Sequence, residues 1–285
     1  MPEAATPESE RLRTIARRAA AAIIEAELEP AAIFISGSVA EGIADADSDI
    51  DLICYFDAVP DRERFQAALA GAGAALSHSI SEGDAGFSDS YEIEGIELQT
   101  GGTRTERIET LLEEVLRGDH VGEPITKAVS GLLHGLPLHG GARFQAWRAR
   151  AAAYPDELRT RSVVHHLKFF PIWSVDRFLA PRDALHFRVQ VRLEVAFNVL
   201  GVLSALNRVY FTDFQFKRLR AHVAELVLAP PNLADRLERA LAVGESYRAL
   251  EDLRALVAET VAMVESELPE IDTGRARWAL DYRGR

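Results

Sequence analysis

The stretch IFISGSVAEGIADADSDIDLI, residues 33–53, constrains this chain more than any other segment. The runs AAIFISGS and SDIDLICYF read as two short β-strands split by a loop rich in Gly and Asp. Side chains alternate along a strand, so Asp49 and Asp51 project from one face while Ile50 and Leu52 project from the other into a core. Two carboxylates that close call for proton sharing or a divalent cation. Hard oxygen ligands on a rigid strand suit Mg²⁺, which keeps several waters and completes its octahedron with phosphate oxygens. Upstream, Gly37-Ser38 follows the first strand at a sharp turn, where backbone N–H groups and a hydroxyl are available to an anion. Taken singly, Asp45, Asp47, Ser48 and Asp49 read as an ordinary polar loop, with Gly37 and Gly42 as turn residues; strand, turn and flanks together describe a phosphate cradle facing a metal.

The surroundings read as α+β. An Ala-rich amphipathic helix over 9–28 stops before Pro30, and a second helix spans about 61–74. Tyr91–Thr100 alternates, with Glu94-Gly95 as a hairpin turn between YEI and IELQT; Glu97 and Gln99 then share one strand face, Ile96 and Leu98 the other. Beyond Arg104 strand signals almost vanish, and 104–267 reads as helices broken at 118–124, 135–141, 171, 181 and 230–231. There is no internal repeat and no obvious flexible linker.

At 285 residues, 48% hydrophobic and 27% charged, the chain is long enough for one large or two ordinary domains with a sizeable core. No uncharged apolar run of about 18 residues occurs, and Glu3, Glu8 and Glu10 precede any apolar stretch, so neither a membrane span nor a signal peptide is expected and the location is read as cytoplasmic. The lone Cys54, inside an apolar run, reads as a small buried hydrophobe. The net charge of −12 is uneven: cut near residue 140, the first part carries 10 Lys and Arg against 26 Asp and Glu, the second 22 against 18. An acidic protein without a basic stripe is a poor binder of unspecific nucleic acid.

The pattern of apolar strand, Gly37-Ser38, loop and Asp49-Ile50-Asp51 with apolar flanks resembles the nucleotidyltransferase superfamily typified by DNA polymerase β. GSVAEG lacks the Gly-Lys-Ser/Thr of a P-loop, Gly71-Ala72-Gly73 lacks the third glycine of a dinucleotide site, and no HExxH or Cys/His metal spacing occurs. The resemblance implies that Asp49 and Asp51 bind Mg²⁺, two ions in all, and that Gly37 and Ser38 hold a nucleoside triphosphate. Members place a third carboxylate on a neighbouring strand; Glu97, flanked by Ile96 and Leu98, is the match, with Glu94 second because it sits in the turn. The implied architecture is an N-terminal nucleotidyltransferase α/β domain with a mixed sheet, residues 1–130, and a C-terminal all-α helical bundle, residues 131–285, that selects the acceptor. The implied reaction is Mg²⁺-dependent transfer of AMP from ATP, or another nucleoside monophosphate, to an acceptor hydroxyl of a small molecule, with release of pyrophosphate. The alternatives are AMPylation of a protein or tRNA, as in antitoxin-like members, and a non-catalytic nucleotide sensor.

The second half is less informative. His165-His166 lies on a helical stretch where neighbours point about 100° apart, which reads as packing or surface rather than a metal pair. In ALNRVYFTDFQFKRLR, residues 205–220, the aromatics read as core contacts and Lys217, one of only three lysines, as a candidate phosphate contact or a solvated helix face. Glu194 is a candidate base for the acceptor hydroxyl, or an ordinary surface residue. PLHG at 137–140, AWRAR with YPDEL across 146–158, and the NRVYF and FKR blocks resemble the helical domain of small bacterial nucleotidyltransferases related to antibiotic-modifying enzymes.

Overall fold

The computed structural model describes residues 5–242 and 247–283. Its contacts divide the chain into two compact units, one of residues 1–114 and 128–153, the other of 115–127 and 154–285. The sequence reading placed a single cut after residue 130; here residues 115–127 belong to the second unit, while the strand and helix over 136–152 belong to the first.

The first unit begins with helix α1, Pro7–Glu25. Thr6 caps it by accepting from the Ser9 N–H, Pro7 fits the first turn, and Glu8 and Glu10 lie at the positive end of the helix dipole. Next come β1 (Ala32–Ser36), the short helix α2 (Gly37–Glu41), β2 (Ile50–Phe56) and α3 (Arg62–Gly71). Strands β3 (Ala75–Gly83), β4 (Gly86–Ile93) and β5 (Ile96–Arg104) follow, then helices α4 (Thr105–Arg117) and α5 (Thr126–His134), β6 (Leu136–His139) and α6 (Gly141–Ala152). The six strands form one mixed sheet in the order β3-β4-β5-β2-β1-β6, with β2 and β5 parallel and every other pair antiparallel.

The two faces of this sheet differ. Ile33 and Ile35 of β1, Ile50, Leu52, Cys54 and Phe56 of β2 and Leu98 of β5 are buried with Leu12, Ile15 and Ile23 of α1 and Phe65 and Leu69 of α3 in one apolar core. Burial pushes the Cys54 thiol up to about 12, so it stays protonated. On the opposite face α6 covers one end, with Phe144 packed on Phe34 at 4.8 Å and Trp147 edge-on to Tyr55 at 5.2 Å between ring centroids. The other end of that face carries Ser36, Asp51 and Gln99, which lie side by side in register.

Two strands escape the sequence reading. All of β3 is exposed, so ALSHSISEG lacks the apolar alternation that marks a half-buried strand and is held by its pairing with β4. In β6, LPLH is too short to show a period and adds to β1 as an edge.

The second unit is helical: α7 (Asp156–His166), α8 (Ile172–Leu179), α9 (Leu185–Leu206), a 3₁₀ turn at Asp213–Arg218, α10 (Leu219–Ala224), α11 (Leu233–Leu241), α12 (Tyr247–Glu267) and α13 (Gly274–Asp281). Its core forms around α9, whose Val195, Val199, Leu203 and Leu206 pack with Leu237 of α11 and Leu253, Val257 and Val261 of α12. Among the described residues α9 alone is long and apolar enough to cross a membrane by length and composition; two thirds of its most apolar window is buried.

Candidate active site

Three chain segments bring the predicted residues to one end of the sheet. Strand β1 delivers Ser36 and Gly37, β2 begins at Ile50 just after Asp49, and β5 runs parallel beside it with Ile50 opposite Leu98 and Asp51 opposite Gln99. Asp49, Asp51, Glu97 and Gln99 therefore occupy the polar face while Ile50, Leu52 and Leu98 are fully buried on the other. Asp49, Asp51 and Ser38 are all half-buried, and Glu97 is exposed.

Gly37 is where the backbone and the acid meet. It has φ +65°, and a Cβ there would lie 2.7 Å from Asp51 Oδ2. Any larger residue would have to displace that carboxylate and strain the turn as well. The loop that follows is tied down from α1: the Arg13 guanidinium donates to the carbonyls of Val39 and Ala40 at 3.0 and 2.9 Å, Thr6 donates to the Ala44 carbonyl at 2.8 Å, and the Ala44 N–H donates to Ser9 Oγ at 2.9 Å. Asp45 and Ser48 close a local turn, with the Ser48 hydroxyl donating to Asp45 Oδ1 at 2.9 Å. The approach of Asp49 to the sheet is thus held from both sides.

Glu97 accepts from the Ser90 hydroxyl at 2.8 Å and from Gln99 Nε2 at 3.2 Å, and the same Gln99 nitrogen lies 3.5 Å from Asp49 Oδ2. The Gln99 amide thus stands between the two carboxylates. Among the described residues no group of three or more His, Cys, Asp or Glu side chains is drawn together tightly enough to hold a metal ion. The physical reason is visible in the register: opposite Asp51 the sheet places the neutral Gln99, and Glu97, two residues earlier, leans on Ser90 and Gln99.

Residues 17–116 match the family model of the nucleotidyltransferase domain. The matched segment holds Gly37, Ser38, Asp49, Asp51 and Glu97 and leaves out Lys217. No curated protein matches the chain. Among solved structures, a nucleotidyltransferase-like protein from Exiguobacterium sibiricum 255-15 aligns with 87% of this chain and 77% of that one at 10% sequence identity, with a TM-score of 0.40.

The remaining candidates fall elsewhere. Glu94 sits in the hairpin turn with φ 54° and pairs with Arg18 at 2.7 Å, both side chains about half exposed. Lys217 is exposed in the second unit, its ammonium 5.2 Å from the centre of the Phe214 ring. Glu194 is exposed on α9 and accepts from Gln190 Nε2 at 2.9 Å, one helical turn away. Sequence reasoning placed Gln99 on the right face without giving it a role, and it passed over Ser90. The signal for Gln99 was the alternation itself; Ser90 is brought beside Glu97 only by the pairing of β4 with β5.

Proposed function

We propose that the protein is a nucleotidyltransferase that moves a nucleoside monophosphate, AMP from ATP, to a hydroxyl of a small acceptor and releases pyrophosphate. The observation that carries this reading is the close approach of Gly37 to Asp51 within a segment that matches the nucleotidyltransferase domain. The donor set supports a divalent cation: Asp49 and Asp51 offer hard carboxylate oxygens at the start of a central strand, and phosphate oxygens of a bound nucleotide would complete the coordination. Glu97 reaches the same face through its second oxygen while Ser90 and Gln99 hold the first. Mg²⁺, when bound, would neutralise the triphosphate and lower the pKa of the acceptor hydroxyl. The protein's own contribution is positional: Gly37 lets the triphosphate approach the strand, Ser38 offers a hydroxyl to it, and Asp49, Asp51 and Glu97 fix where cations sit. A cytoplasmic location, where ATP and Mg²⁺ are abundant, belongs to the same proposal.

A second reading, nucleotide binding without transfer, draws on the engagement of Glu97 by Ser90 and Gln99, which leaves two aspartates as the firm ligand pair. One experiment separates the two. Pyrophosphate release from each of the four NTPs, with Mg²⁺ and a panel of hydroxylated acceptors that includes aminoglycosides and tRNA, is expected with ATP and a small acceptor. Release that survives excess chelator, or in Asp51→Asn, overturns the two-aspartate assignment; Mg²⁺-dependent ATP binding with no release under any acceptor favours the sensor.

A further inference from the structure

Helix α2 carries the proposed phosphate contacts between two glycines. Gly37 opens the helix at φ +65° and Gly42 closes it at φ +80°. Glycine has the widest backbone freedom of any residue, so a short helix bounded by two of them pivots unless other groups fix it. The Gly37 end stands against Asp51, whose Oδ2 a Cβ would meet at 2.7 Å. The Gly42 end stands against the start of the chain and α1: a Cβ there would lie 3.1 Å from the Ala5 Cβ and 3.3 Å from Arg13 Nη2.

One side chain fixes the piece between them. The Arg13 side chain is only 13% exposed, and its guanidinium donates from Nε to the Val39 carbonyl at 3.0 Å and from Nη2 to the Ala40 carbonyl at 2.9 Å. Both carbonyls lie in the last turn of α2, where a helix runs short of amides of its own. The other ties from the start of α1 reach only Gly42 and beyond: the Thr6 N–H donates to the Gly42 carbonyl at 3.0 Å, and the Thr6 and Ser9 hydroxyls hold Ala44. Among the described residues, Arg13 is the one side chain outside the segment whose hydrogen bonds land between the two glycines. Its remaining nitrogen, Nη1, pairs with the exposed Glu10 at 2.6 Å.

We infer that Arg13 is a positioning residue for the nucleotide: it anchors the far end of α2 and, through that short helix, sets where Gly37 and Ser38 meet the triphosphate. This role rests on the reading of Gly37 and Ser38 as phosphate contacts. It calls for a guanidinium, which offers two N–H groups in a fixed fork to two neighbouring carbonyls; a lysine ammonium is a single point on a flexible stem and cannot hold both in the same geometry. Its effect falls on nucleotide affinity, because Asp49 and Asp51 belong to β2 and the approach to it, which the Arg13 fork does not touch.

Calorimetric titration of full-length protein with Mg²⁺-ATP reads this directly. Arg13→Met is expected to raise the dissociation constant about tenfold, and Arg13→Lys to fall between that variant and the parent. Glu10→Gln, which removes only the exposed ion pair, should leave it unchanged. A second readout needs no nucleotide. The Gly42 and Ile43 amides, which donate to the Val39 and Ser38 carbonyls at 3.4 and 3.0 Å, should exchange hydrogen about tenfold faster in Arg13→Met while the β2 amides keep the parent rates. Should Arg13→Met fail to fold, Arg13→Lys carries both measurements. A merely structural arginine would lower the melting temperature of these variants and leave the dissociation constant of the folded protein at the parent value, which overturns this role alone. Unchanged exchange at Gly42 and Ile43, or an equal loss of affinity in Glu10→Gln, overturns it as well. A parent protein that does not bind Mg²⁺-ATP overturns the proposed function and this role with it.

Discussion

Two sets of carboxylates lie on opposite faces of the same sheet and are treated in opposite ways. Asp89 of β4 is fully buried on the face packed by α3, where it accepts from Arg62 through both Nε and a terminal nitrogen, from Gln66 Nε2 at 3.1 Å and from the Tyr91 hydroxyl at 3.2 Å. Burial alone would push its pKa up; the Arg62 charge and hydrogen bonds, with Gln66 and Tyr91, outweigh that and hold the carboxyl below its ordinary value. Asp49 and Asp51 are only half-buried, and the group beside Asp49 is the neutral amide of Gln99. An acid kept for structure receives an arginine. Under the proposed function, Asp49 and Asp51 leave that place to a cation, because a guanidinium would compete for the same oxygens.

The largest effect that tests this contrast is on Asp49 and Asp51. Asp51→Asn or Asp49→Asn should lower pyrophosphate release by about a thousandfold or more at saturating Mg²⁺ while leaving the melting temperature unchanged or higher, since each removes a like-charge neighbour. Retained activity would mean that the polar face does not hold the reacting phosphates. Next comes the third carboxylate: Glu97→Gln should cost about a hundredfold in turnover. Glu94→Gln, which breaks only an exposed pair with Arg18, should cost almost nothing, and a reversed order would transfer the role to the hairpin turn.

The closed acid should respond in stability. Asp89→Ala leaves Arg62 facing a buried gap and should destabilise the protein by about 3 kcal/mol in urea titrations, with little change in the activity of the folded fraction. Because the folded pKa of Asp89 is depressed, its contribution is fully present above the unfolded value near pH ~4 and is lost as pH falls through the lower folded value. The acid-unfolding curve of Asp89→Ala should accordingly be shallower than that of the parent below pH ~4. The smallest expected change concerns Cys54: its thiol, buried and pushed up to about 12, should resist iodoacetamide in the native state and react only on unfolding. Fast alkylation of the native protein would show that the core under α1 and α3 opens readily.

Legibility in the sequence tracks how local each feature is. The Glu94-Gly95 turn was readable because both residues adopt positive φ, at 54° and 75°, between two alternating strands. Helix α1 was readable from its apolar stripe, although the real start at Pro7 depends on the Thr6 cap. The exposed β3 and the short β6 were not readable, since an edge strand that buries nothing has no pattern of its own. The face assignment of Asp49, Asp51, Glu97 and Gln99 followed from strand alternation alone, whereas the Ser90 contact, the place of Gln99 between two carboxylates and the pairing of Asp89 with Arg62 each join residues distant in the chain.

The sequence by itself determined which side chains share a face, because period two and the Gly37-Ser38 turn are local stereochemistry that holds in any strand-turn-strand segment. Only the tertiary structure decided what stands opposite them. That β5 lies parallel to β2 with Gln99 against Asp51 and that α6 returns to cover Tyr55 and Phe34 are outcomes of packing and register. A one-residue slip in the pairing of β5 would leave every local pattern intact and still exchange Gln99 for a buried leucine, so the identity of the neighbour is a property of the assembled sheet.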